Sequence, residues 1–84
     1  MPEPIRIEIY SRPGCHLCDE AKEVIERSQA RYVLDIRVIN VEEDPELEAR
    51  YGTEIPVVFI SGRKAFKYHV DPVELERKLR SWKR

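Results

Sequence analysis

The sequence predicts an α/β domain: a four-stranded mixed sheet with helices on both faces, in the element order βαβαββα. Three observations predict it. Ile5-Arg6-Ile7-Glu8-Ile9-Tyr10 and Val33-Leu34-Asp35-Ile36-Arg37-Val38-Ile39 alternate with period two, as strands do. Between them, Leu17, Ala21, Val24, Ile25 and Ser28 recur at helical spacing. Two Asp-Pro pairs, at 44–45 and 71–72, each announce a further helix.

The first strand covers residues 5–10, with Ile5, Ile7 and Ile9 on one face and Arg6, Glu8 and Tyr10 on the other. The first helix runs from about Cys15 to about Ala30, and the second strand covers residues 33–39. Strand, helix and strand within so short a span make a βαβ unit with parallel strands. Asp44 caps a short second helix, Pro45 opens it, and Gly52 stops it as a residue just past the C-terminus. Val57-Val58-Phe59-Ile60 is a continuous apolar strand, expected to be buried on both faces. A Ser61-Gly62 turn leads into a fourth strand, 64–68, paired antiparallel with the third. Asp71-Pro72-Val73-Glu74 then combines a cap, a first-turn proline and an acid three residues after the cap. Leu75, Leu79 and Trp82 give the last helix its inner face.

Composition narrows the function classes. With 84 residues, and neither a repeat nor a linker, residues 1–84 read as one domain. The balance of 42% hydrophobic and 37% charged residues is that of a globular domain with a heavily solvated exterior. A net charge of −1 gives no electrostatic case for nucleic acid. The basic end, Arg77 to Arg84, suits a helix C-terminus. No apolar run is long enough to span a bilayer, and Met1-Pro2-Glu3-Pro4 has no signal-peptide character. The expected compartment is the cytoplasm, where paired thiols serve redox or metal chemistry rather than stapling.

The chemistry concentrates in Ser11-Arg12-Pro13-Gly14-Cys15-His16-Leu17-Cys18, where the first strand turns into the first helix. Both cysteines of the chain lie there, two residues apart. Unpaired N–H groups and the positive end of the helix dipole favour the thiolate, which is the attacking species. Arg12 works in the same direction; Asp19 and Glu20 oppose it. Cys18, one turn on, is placed to close a small disulfide ring. Zinc wants four ligands, and only His16 and His69 could add to the two thiols.

These residues, with Glu54-Ile55-Pro56-Val57-Val58-Phe59-Ile60 about forty positions on, make the chain resemble the glutaredoxin-like proteins of the thioredoxin superfamily. The resemblance covers essentially the whole chain and implies the thioredoxin-like form of the fold. It implies a thiol–disulfide oxidoreductase in which Cys15 attacks and Cys18 resolves, acting as a monomer without metal or resident cofactor. It also implies a cis Ile55–Pro56 bond beside the cysteines, with the Ile55 backbone clamping an extended substrate. Arg12 matches a basic residue that pairs with a glutathione carboxylate, and Asp71 the acidic end of the same site. Two features depart from that pattern. Leu17 stands where dithiol glutaredoxins usually carry Tyr, and Phe66-Lys67-Tyr68-His69-Val70-Asp71 replaces a Gly-Gly that admits glutathione. Nor are the thioredoxin markers present: Gly14 replaces a Trp, and Ile9 a buried acid. The expected partners are therefore a disulfide-bearing protein or small molecule, and either glutathione or a reductase as electron donor. A second reading is a binding module that holds zinc or an iron–sulfur cluster through Cys15 and Cys18, in a dimer or with a partner.

Overall fold

The computed structural model describes residues 3–82. Its order is β1 (Ile5–Ser11), α1 (His16–Arg27), β2 (Leu34–Asn40), α2 (Pro45–Tyr51), β3 (Val57–Ile60), β4 (Arg63–Lys67) and α3 (Pro72–Trp82). The strands lie in the order β2-β1-β3-β4. β1 and β2 are parallel, Ile7 opposite Ile36; β3 runs antiparallel to β1, Ile9 opposite Val58, and to β4. The mixed sheet and the βαβαββα order are those expected.

Period two in β1 separates two layers. Ile5, Ile7 and Ile9 join Ala21 and Ile25 of α1, Leu75 and Leu79 of α3, and Val58 and Ile60 of β3 in the main core. The opposite face carries a smaller aromatic cluster. The Tyr10 ring lies 4.7 Å from that of Tyr51 and 5.5 Å from that of Phe59, the latter edge-on. Tyr51 ends α2, so this cluster seats α2 on the face away from α1 and α3. Since Ile25 is fully enclosed, Ile25→Ala is expected to cost about 3 kcal/mol of stability, transfer and cavity costs together. Urea denaturation would check it; a loss below about 1 kcal/mol would mean that the core recloses around the gap.

Several details differ from the sequence-based expectations. Cys15 is not in α1 but caps it, and the helix tightens to a 3₁₀ turn over Ser28–Ala30. The fourth strand ends one residue earlier, because Tyr68 adopts a left-handed backbone, φ 68°. Its N–H turns to the carbonyls of Pro56 (2.9 Å) and Glu54 (3.3 Å). Gly52 closes α2 as expected, at an ordinary helical φ of −55°. Trp82, expected inside, is exposed: it lies with Ser61 and Arg63 over the β3–β4 turn, beyond the layer that covers Leu75 and Leu79. Of the basic end, Lys83 and Arg84 fall outside the described residues, as do Met1 and Pro2. No described helix is long and apolar enough to cross a membrane.

Candidate active site

Between β1 and α1 the chain reverses over Pro13 and Gly14. Gly14 sits at φ 79°, a region closed to most side chains by their Cβ. The turn delivers Cys15 to the helix start in an extended conformation, φ −89° and ψ 112°. There its Sγ accepts the Cys18 backbone N–H at 3.2 Å. A sulfur thus fills the capping place usually held by a Ser or Asp oxygen. Backbone donors and the helix dipole at such a position stabilise negative charge on sulfur.

The two free thiols differ in surroundings. Cys15 is half-exposed, whereas Cys18 is 6% exposed. Burial above all, and then its hydrogen bond with Cys15, pushes the Cys18 thiol up to about 12; a backbone hydrogen bond from Arg12 opposes the shift. The pair therefore combines one approachable sulfur with one that is sheltered and held protonated.

Beside the pair lies a cavity of about 260 Å³ lined by Arg12, Pro13, Gly14, Cys18, Asp19 and Lys22, among others. Arg12 does not extend freely into it. Its Nη2 donates to Glu48 Oε1 at 2.6 Å, midway along α2, and to the carbonyl of its C-cap Gly52 at 3.0 Å. This contact explains Gly52. A Cβ there would fall 2.5 Å from the Glu48 carbonyl oxygen, 2.6 Å from Glu48 Oε1 and 3.0 Å from Arg12 Nη2. The glycine serves close approach rather than an unusual φ.

The second expected segment is tied to β4. Ile55–Pro56 is cis, as the resemblance implied, with Pro56 buried and Ile55 half-buried. Glu54 just before it accepts from Lys64 Nζ at 2.9 Å and pairs with Lys67 at 3.6 Å. Those lysines, Lys64 first, hold its carboxyl below the usual range. The Tyr68 N–H bond to Pro56 completes the attachment. Asp71 Oδ1 accepts the Val73 N–H at 3.1 Å, so this carboxylate caps α3. His16 and His69 are exposed. Among the described residues, no three His, Cys, Asp or Glu side chains gather as a metal site.

Arg12 and Cys18 thus share one cavity, and the Cys15 sulfur meets the Cys18 backbone. Asp71 is occupied by its helix. Glu48 and Gly52 escaped sequence reasoning because their partner, Arg12, lies 36 and 40 residues away. The one local signal was Gly52 itself, which serves equally as a helix stop.

A thioredoxin-type sheet with a Cys-x-x-Cys at the start of its first helix defines a redox class of protein. The chain belongs to the glutaredoxin-like domain family (DUF836), whose model matches residues 6–80. A glutaredoxin-like protein of Dictyostelium discoideum is 29% identical over 77 residues, covering 84% of this chain and 71% of its own. A solution structure of a protein from Nitrosomonas europaea superposes with a TM-score of 0.80 at 26% identity, over 93% of this chain and 94% of the other. The glutaredoxin-like protein NrdH-redoxin from Escherichia coli superposes at 0.63 with 29% identity, over 86% and 92%. Its structure is described as the basis for a thioredoxin-like activity profile.

Proposed function

We propose that this protein is a small dithiol–disulfide oxidoreductase that reduces disulfides of proteins or small molecules. The observation that carries the reading is the Cys15 sulfur capping α1, half-exposed, with Cys18 buried one turn behind it. The Cys15 thiolate attacks one sulfur of the substrate disulfide; that bond breaks, and the other sulfur leaves as a thiolate and takes up a proton. Cys18 then gives up its proton and attacks Cys15 Sγ, releasing the second substrate thiol. Two electrons pass to the substrate, and the protein ends as a Cys15–Cys18 disulfide, to be re-reduced by an external thiol or a flavoprotein reductase. In this reading residues 1–84 act as one monomeric domain in the cytoplasm, with no resident cofactor.

For the donor we favour a protein reductase over glutathione. Arg12 is engaged by Glu48 and Asp71 by the α3 cap, and the Gly-Gly of the resembled glutaredoxin pattern is replaced by Phe66 to Val70. NrdH-redoxin, glutaredoxin-like with a thioredoxin-like activity profile, supports the same choice. Turnover of hydroxyethyl disulfide would be compared with thioredoxin reductase and NADPH, and with glutathione and its reductase. The reductase arm is expected to be faster by at least about tenfold, from two lost hydrogen bonds to the tripeptide. Efficient turnover at sub-millimolar glutathione would overturn the choice of donor. No turnover in either arm would overturn the reductase reading, and a coloured or metal-loaded protein after anaerobic purification would replace it with the cluster-holding one.

A further inference from the structure

The contact between Arg12 and α2 is poorly built for stability. One guanidinium nitrogen serves both Glu48 Oε1 and the Gly52 carbonyl, rather than the two-pronged pairing that a carboxylate offers arginine. Glu48 Oε2 is buried without a hydrogen-bond partner among the described residues, an expensive condition for a carboxylate oxygen. The two side chains are 32% and 41% exposed, in the range where ion pairs contribute little. Only a glycine at 52 leaves room for the arrangement. A contact with an orphaned oxygen and a dedicated cradle suggests a constraint other than stability.

Its position suggests which. Arg12 is three residues from Cys15 and lines the cavity beside Cys18. The other charged groups lining that cavity, Asp19 and Lys22, cancel in net charge. Arg12 would make it cationic and attractive to a carboxylate; Glu48 removes that charge from within the chain.

We propose that Glu48 is a specificity-determining residue that occupies Arg12 in place of a substrate carboxylate, so that the thiol site disfavours anionic thiols and disulfides and selects neutral or cationic segments. The proposal builds on the thiol–disulfide reading given above, but its test does not require turnover. The probe is S-methylglutathione, which carries two carboxylates and no reactive sulfur, titrated into the reduced protein and followed through backbone amide shifts of the Cys15 loop. The wild type is expected to bind it weakly. Glu48→Gln, equal in shape, should bind it about tenfold more tightly, the worth of one charge-assisted hydrogen bond. The gain should vanish in the Arg12→Gln/Glu48→Gln double variant. Glu43→Gln, which changes net charge equally on an exposed residue, should leave affinity unchanged. Glu48→Ala, with the cradle at Gly52 still open, guards against a folding defect peculiar to one variant. Unchanged affinity in both Glu48 variants would overturn the proposal, as would a gain that survives loss of Arg12 or appears equally in Glu43→Gln. If hydroxyethyl disulfide is not reduced by the wild type, the reductase reading fails while the titration still decides the role of Glu48.

Discussion

Cys15→Ser is expected to lose at least about a thousandfold in disulfide turnover, since a serine hydroxyl at neutral pH is no substitute for a thiolate. Cys18→Ser should fail differently. It retains the exposed sulfur and completes the first attack, but nothing inside the protein then releases the product. With glutathione absent it should accumulate a mixed disulfide at Cys15, one equivalent per chain. The asymmetry follows from placement. Cys15 is half-exposed, with its sulfur on the Cys18 N–H, whereas Cys18 is 6% exposed and held protonated. Intact-mass spectrometry after mixing each variant with a disulfide-bearing protein reads the result directly. Equal trapping by both variants would assign no order to the two sulfurs.

Most of the architecture was legible because its boundaries are written in residues with local physical meaning. Asp44-Pro45 and Asp71-Pro72 start helices where expected, each Asp side chain accepting the N–H two residues on. Period two in β1 sorted its side chains between the two layers correctly. The features that escaped depend on distant parts of the chain. Ser28-Gln29-Ala30 contains no residue that ends a helix, yet the helix tightens there. Tyr68 enters the left-handed region because Pro56 and Glu54 offer its N–H two carbonyls. Trp82 continues the spacing of Leu75 and Leu79, but by that point the helix has passed the layer that buries them. For the site, the cysteines and their helix start were plain. The partner of Arg12 was not, since a basic residue near a reactive thiol looks the same whether it faces substrate or another part of the protein.

The resolving step should accelerate about tenfold per pH unit from pH 6 to 9. Cys18 must be a thiolate to attack, and its environment pushes it from 9.0 up to about 12. Burial is the leading cause, Cys18 being 6% exposed. Over the whole range the thiolate fraction is small and rises in proportion to hydroxide. Stopped-flow release of thionitrobenzoate from the Cys15 mixed disulfide would measure it. A plateau by pH 8 would show that another group takes the Cys18 proton. The same shift has a thermodynamic consequence of definite sign. The folded state keeps the Cys18 proton to about 12, while the unfolded chain releases it near 9.0. Between those values the folded state binds more protons, so stability falls as pH rises. Below pH 9 the contribution is flat. From pH 9 to 10.5 the loss amounts to about 2 kcal/mol as an upper figure. Tyrosines and lysines titrate in the same window, so the quantity to compare is the difference between wild type and Cys18→Ala, both reduced, in urea at pH 8 and pH 10.5. The wild type should lose its advantage on going to the higher pH; an unchanged difference would mean that the folded protein lets Cys18 ionise as readily as the unfolded chain does.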